Sequence, residues 1–325
     1  MKKILITGGA GFFGSHLALK AIELGFETIV VDILNSETTD STEKEQNLKI
    51  LRKKSQELKN FTFYKSDIRN KEAISEVISK EDPNFVIHCA SLVMDRLSMI
   101  IPHDFIETNV HGSQNVIDSF KNSQSLEHIV FVSSRSAIGE KTSADAFIRE
   151  TDLFRPINPY GATKAAAESL FYCNFFNTGI PLSITRMQPM YGPRCRHDMF
   201  VWRVLNSIIT GEKIEKYGDG EAVRDWLYID DAVEAIFKIL FSPKDFRIFN
   251  IGTGIKTSTN QIIEICEKIS GAKANIEDVS AVLGDAYFAG ISDCSLLEKE
   301  LNWKYETDIK TGIEITHKFM KNKHI

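Results

Sequence analysis

The sequence predicts an α/β protein: a doubly wound parallel sheet with a smaller C-terminal α/β domain. Three observations carry that expectation. Short apolar runs recur, among them KILIT (3–7), TIVVD (28–32), FVIHCA (85–90) and HIVFV (128–132). Longer amphipathic stretches separate them, and near-continuous apolar strands between helices belong to parallel sheets covered on both faces. The first run also leads through GGAGFFG (8–14) straight into a helical stretch.

The elements follow in order. KILIT is the first strand, and GFFGSHLALKAIELG (11–25) is a helix closed by Gly25. TIVVD is the second strand. TDSTEKEQNLKILRKKSQELKN (39–60) is polar with a thin Leu/Ile stripe, so it reads as an exposed helical insertion. FTFYKSD (61–67), FVIHCA, HIVFV and PLSITR (181–186) supply further strands. IPHDFIETNVHGSQNVIDSFKNS (101–123) and YGATKAAAESLFYCNFF (160–176) read as long helices with apolar or small-residue faces. Beyond about residue 180 the pattern is mixed and rich in turn signals such as YGDGE (217–221). The expected division is therefore 1–180 and 181–325, with some later segments returning to the first domain.

The bulk numbers exclude several classes. The chain has 325 residues, 43% hydrophobic and 26% charged, with net charge −5. That balance argues against nucleic acid or an anionic membrane as a partner. No run of 18 apolar residues and no signal-peptide pattern is present. The cysteines Cys89, Cys173, Cys195, Cys266 and Cys294 are scattered without a CxxC pair, which suits reduced thiols in a cytoplasmic protein. No His/Cys/Asp spacing resembles a metal site.

GGAGFFG satisfies GxGxxG through Gly9, Gly11 and Gly14, and GxxGxxG through Gly8, Gly11 and Gly14. Glycines let the backbone turn tightly and approach a pyrophosphate at a helix N-terminus. The motif alone is weak; the strand before it, the helix after it and Asp32 ending the second strand lift it. A carboxylate there accepts bonds from ribose hydroxyls and repels a 2′-phosphate, so NAD is the expected cofactor of this Rossmann-type domain. The polar insertion at 39–60 would lie near the adenosine end.

Tyr160 and Lys164 in NPYGATKAAAES (158–169) share one helix face. A lysine ammonium and a cationic nicotinamide would lower the tyrosine pKa toward the working pH. With eight tyrosines in the chain, such spacing arises easily by chance. The combination carries the argument: a dinucleotide turn, Ser134 after a later strand, then Tyr-x-x-x-Lys opening the next helix.

These stretches resemble an extended short-chain dehydrogenase/reductase, in the branch of NAD-dependent nucleotide-sugar epimerases and dehydratases. The resemblance runs nearly end to end, through HCAS (88–91), TNVHGS, SSRSAIG (133–139), YGATK, MYGP (190–193), VRDWLYIDDA (223–232) and FNIGTG (249–254). It implies catalytic Ser134, Tyr160 and Lys164. It implies cofactor contacts at Gly8, Gly11, Phe12, Phe13, Gly14, Asp32, Asp67, Ile68, Ala90 and Asn109, beside Tyr160 and Lys164. Arg224 matches the arginine that holds a nucleotide diphosphate, and Asp285 joins the substrate set. Ile138 replaces the tyrosine of the family's "VYG", Pro189 stands where Asn or Thr is common, and Val282 where Arg or Gln is common. The family also implies a homodimer formed by pairing the two long helices.

Within the branch, all members begin by oxidising a sugar hydroxyl to a keto-sugar. Dehydratases carry an Asp-Glu pair after the serine and decarboxylases a glutamate, where this chain has Arg135 and Ser136. Arginine stays protonated and is no general base. The remaining course is return of the hydride to the other face, a 4-epimerase. SLVMDRLSMIIPH (91–103) and MYGPRCRHDMF (190–200) resemble segments of UDP-glucuronate 4-epimerases, with Arg96 and Arg196 at the family's arginines. Five of twelve arginines (Arg186, Arg194, Arg196, Arg203, Arg224) fall within 186–224, which suits a multiply anionic ligand. The expected substrate is a nucleoside-diphosphate sugar, foremost UDP-glucuronate/UDP-galacturonate, with Arg96, Arg135, Ser136 and Arg196 near the sugar acid. Arg135 reads equally as a salt-bridge partner of Glu140 or Asp145. His88 reads as a satisfied core histidine, and His197 as an ordinary neighbour of the arginines or an aid to phosphate binding. An oxidoreductase that releases the keto-sugar, and a non-catalytic NAD(H) sensor, are the rival readings.

Overall fold

The computed structural model describes residues 1–35, 40–121, 123–141, 143, 145–242, 245–281, 284 and 286–323. Seven strands make one parallel sheet: β1 (Lys3–Thr7), β2 (Glu27–Asp32), β3 (Phe61–Lys65), β4 (Phe85–His88), β5 (His128–Ser134), β6 (Leu182–Met187) and β7 (Phe246–Ile251). Their order is β7-β6-β5-β4-β1-β2-β3. The chain winds outward one way from β1 to β3, then restarts at β4 and winds the other way. The switch falls between β1 and β4, where open α/β sheets bind ligands.

Alternate residues of each strand feed two cores. Ile4, Ile6, Phe85, Ile87 and Val130 join one face, and Leu5, Val86, Ile129 and Phe131 the other. Period-2 alternation thus buries both faces of the central strands β4, β5 and β6, which explains their apolar runs, while the edge strand β3 stays partly exposed. Two strands after residue 180, β6 and β7, complete this sheet.

The helix expected at 39–60 forms as α2 (Ser41–Lys54), after α1 (Phe12–Glu23). It is less exposed than its polar sequence suggests. Leu48 and Leu51 are buried, and Asn47 Nδ2 donates to Ala10 O at 2.9 Å, tying α2 to the glycine turn. After α3 (Lys71–Glu81) and the short α4 (Asp95–Ile100), the single long helix expected at 101–123 is broken in character. Its α-helical ends, Pro102–Phe105 and Gly112–Ser119, flank a π-helical stretch at Ile106–His111. Such stretches recur at functional sites. The second long helix, α5 (Pro159–Thr178), starts at an Asn158 cap that accepts Gly161 N at 2.8 Å, with Pro159 in the first turn. It ends at Gly179, whose φ is +70°. The remaining strands are short pairs, such as Ile214–Tyr217 with Ile276–Val279.

Candidate active site

A cavity of about 710 Å³ opens at the carboxyl ends of β1, β2, β4, β5 and β6. At one end Gly8, Gly11, Phe12, Phe13 and Gly14 line it, with Asp32, Asp67, Ile68 and Ala90 nearby. At the other end stand Ser134, Arg135, Ser136, Tyr160 and Lys164, then Arg96, Arg196 and Arg224. The sequence-derived site residues are thus mostly brought together.

The glycine turn leaves no room for side chains. A Cβ at Gly14 would lie 2.2 Å from Gly8 O. The Asp32 carboxylate is fixed by Ala10 N at 3.1 Å and Leu34 N at 2.9 Å. Lys44 of α2 reaches it at 3.5 Å and also bonds Asn35 Oδ1 at 3.0 Å. The sequence reading missed Lys44, whose only signal was its place in a helix of many charges. Asn109 is a different matter: it is 1% exposed and absent from the cavity wall. Its side chain accepts Leu92 N at 2.7 Å and donates to Leu92 O at 2.9 Å and Thr163 Oγ1 at 3.0 Å. It braces the loop after β4 against α5 from behind the wall.

Three consecutive residues at the end of β5 each engage one residue on a single face of α5. Val132 O accepts from Lys164 Nζ at 3.0 Å. Ser133 Oγ donates to Glu168 Oε1 at 2.5 Å. Ser134 stands close enough to the Tyr160 hydroxyl to lower its pKa, and it accepts Ser136 N at 3.1 Å. Spacing of four residues puts Tyr160, Lys164 and Glu168 in one row. Gly161 permits the close approach, since a Cβ there would meet Ser136 O at 2.2 Å. Lys164 also bonds Ser91 Oγ at 3.1 Å.

Burial pushes the Tyr160 phenol up to about 12; Ser134 and the charges of Arg196 and Arg135 act downward, and Asp95 acts upward. The expected lowering by Lys164 is not met by the protein groups alone. The ammonium turns to Ser91 and Val132 and stands 6.0 Å from the phenol ring centre. Burial lowers Lys164 itself to about 8, against the opposing influence of Cys89 and Glu168.

The arginine cluster disperses in space. Arg186 forks onto Glu168 at 2.9–3.2 Å with both side chains buried, so it serves the structure. Arg194 bonds Asn47 Oδ1 at 3.3 Å and lines a second, smaller cavity. Arg196, Arg203 and Arg224 face the main cavity. Arg196 is forked onto Asp198, with both bonds at 2.8 Å. Arg96 stacks on the Tyr217 ring at 3.7 Å. Arg135 is buried and donates to Ala289 O at 3.2 Å and Gly139 O at 3.4 Å. Of its two expected carboxylate partners, Glu140 accepts Tyr287 N and Phe288 N, while Asp145 pairs with Lys256.

His88 is fully buried between Thr7 Oγ1 at 2.6 Å and Ser113 Oγ at 3.0 Å, and burial lowers it to about 3. His197 pairs with Glu43 and stacks on Trp202. Ile138 is buried, and Pro189 lines the cavity. Asp285 and Val282 lie outside the described residues. Among the described residues no cluster could hold a metal ion, and no helix is long and apolar enough to cross a membrane. One carboxylate on the wall, Asp95, escaped the sequence reading, although a charged pair inside the apolar run LVMDRLSMI was a visible signal.

Fold and site define an NAD-dependent enzyme of the extended short-chain dehydrogenase/reductase type. Comparison with known proteins agrees. The profile of the NAD dependent epimerase/dehydratase family matches residues 4–252, and the chain belongs to that family. A UDP-glucuronate 4-epimerase of Thermodesulfobacterium geofontis is 32% identical, covering 98% of this chain and 95% of its own. A variant UDP-glucuronic acid 4-epimerase from Bacillus cereus, in complex with UDP-4-deoxy-4-fluoro-glucuronic acid and NAD, superposes with a TM-score of 0.91. It is 29% identical, with 99% of both chains covered. A UDP-glucose 4-epimerase from Thermotoga maritima, with UDP-glucose, gives 0.89 at 29% identity, covering 99% of this chain and 100% of its own.

Proposed function

We propose that the protein is a nucleotide-sugar 4-epimerase that works through a transient 4-keto sugar and interconverts UDP-glucuronate and UDP-galacturonate. One observation carries the reaction type. The end of β5 brings Ser134 near Tyr160, but Arg135 and Ser136 follow, and Arg135, which is no general base, donates to backbone carbonyls. Elimination of water needs a carboxyl pair there, one to take a proton and one to give it.

The residues present fit NAD. The turn around Gly14 is too tight for any Cβ, which leaves its backbone open to a pyrophosphate, and Asp32 stands fixed where ribose hydroxyls donate. When bound, NAD supplies the hydride acceptor and, oxidised, a positive charge that favours the phenolate. Tyr160 takes the C4 hydroxyl proton and later returns it. Ser134, beside the Tyr160 hydroxyl, donates to the same C4 oxygen. Lys164, anchored on Val132 O and Ser91, keeps a further positive charge in the same site, 6.0 Å from the phenol ring centre. Residues 1–180 hold the cofactor, and 181–325 hold the nucleotide sugar apart from β6 and β7. Arg224 faces the diphosphate, and Arg196 with Ser134 and Ser136 faces the sugar carboxylate.

The uronate assignment is supported by the two relatives that carry that name. A neutral hexose is the second reading, favoured by the fork of Arg196 on Asp198, which already matches its charge. Steady-state kinetics across UDP-, GDP-, CDP- and dTDP-sugars decides between them: UDP-glucuronate should give the highest kcat/KM. Faster turnover of UDP-glucose would move the assignment to the hexose. The protein acts as a homodimer: Ile106, Tyr172 and Phe176, on the helices the family pairs, are exposed. A cytoplasmic setting fits five cysteines with no disulfide among them.

A further inference from the structure

The loop after β4 lines the cavity and carries two costly features side by side. Met94 adopts φ +93°, on the positive side that non-glycine residues rarely occupy. Asp95 follows it, half-buried on the cavity wall with Ser134, Tyr160 and Arg196. Its Oδ1 is buried and has no hydrogen-bond partner among the described residues. A carboxylate oxygen withdrawn from water without a donor destabilises the fold. Backbone strain and an unsatisfied polar atom together mark a place held for function rather than for stability. The next residue, Arg96, stacks on the ring of Tyr217, another residue of the cavity wall, which fixes where this loop sits.

We propose that Asp95 is a specificity-determining residue whose carboxylate accepts hydrogen bonds from hydroxyls of the sugar ring. The inference rests on the nucleotide-sugar reading. An ionised carboxylate only accepts, and each ring hydroxyl brings one donor. Asp95 shares the cavity wall with Tyr160, and its charge is felt at the Tyr160 hydroxyl. A ring placed with its C4 hydroxyl at Tyr160 therefore brings neighbouring hydroxyls toward Asp95. The same carboxylate repels a second one. A uronate therefore favours the ring orientation with its acid group toward Arg196 and the serines after β5 over the turned one that epimerisation also passes through.

The test pairs variants with substrate analogues. Wild type, Asp95→Ala and Asp95→Asn are assayed on UDP-glucuronate, UDP-glucose and their 2-deoxy and 3-deoxy forms. Asp95→Ala should lower kcat/KM on the better parent sugar by about 10- to 100-fold, the worth of a hydrogen bond to a charged group. It should scarcely change kcat/KM on the deoxy form that lacks the partner hydroxyl, so the preference for the parent collapses. Asp95→Asn, which keeps shape and one acceptor, should fall between. UDP binding by calorimetry should be unchanged in both variants. Equal slowing on parent and deoxy sugars, or no change on any, overturns the proposal. If wild type binds UDP but turns over none of the sugars, the nucleotide-sugar reading itself fails, and the assignment of Asp95 falls with it.

Discussion

Replacing Lys164 by methionine should make the protein more stable at pH 7 while abolishing most of its activity. Lys164 is 3% exposed, and burial lowers its pKa from 10.5 to about 8. At about 1.36 kcal/mol per tenfold, that fall corresponds to roughly 3 kcal/mol against the charged form. Methionine removes this penalty but loses the bonds to Val132 O and Ser91 Oγ, together worth about 1–2 kcal/mol net. The variant should therefore gain about 1–2 kcal/mol at pH 7. The gain has a pH signature. Between pH 8 and 10.5 the unfolded chain binds a proton at this lysine that the folded chain does not, so wild-type stability rises through that window. The variant has no such term. Its advantage should close and then reverse by about pH 10. The assay is urea unfolding of cofactor-free wild type and variant at pH 7 and pH 10, followed by tryptophan fluorescence, since NAD bound to one alone adds its own stabilisation. A variant less stable at pH 7, or a gap unchanged at pH 10, would refute the view that Lys164 is a buried charge kept for chemistry.

Three further outcomes are expected. Tyr160→Phe should lower kcat by about 10²- to 10⁴-fold with NAD affinity retained, as loss of a general base does; near-wild-type turnover would remove Tyr160 from the mechanism. Arg196→Ala should reduce kcat/KM for UDP-glucuronate by about 2–4 kcal/mol and much less for UDP-glucose; equal losses on both would return Arg196 to a structural role with Asp198. Light scattering at micromolar concentration should give a dimer mass; a monomer there would leave Tyr172 and Phe176 without the partner assigned to them.

Local pattern made the fold and half of the site readable. The strand–glycine–helix order around Gly8, Gly11 and Gly14 and the acid at Asp32 are short-range features, as is the helical row of Tyr160 and Lys164. What was not readable depends on partners distant in sequence. Arg186 looked like its neighbours among the arginines until Glu168, on another element, claimed it. Asn109 sits in the right motif but turns its amide to Leu92 and Thr163. The π-helical stretch at Ile106–His111 keeps the apolar spacing of an ordinary helix and leaves no compositional trace. The direction of the Tyr160 shift turns on burial, which outweighs the charges that sequence proximity brings to mind.

The central claim is that hydride leaves C4 and returns to it within one site, with no bond to C5 or C6 broken. Turnover of UDP-glucuronate in D₂O, followed by NMR and mass spectrometry of the product, tests it most directly. The account predicts UDP-galacturonate with protium at both C4 and C5, all carbons retained and no net NADH. Deuterium at C5, loss of carbon dioxide, or release of a keto-sugar with stoichiometric NADH would contradict it.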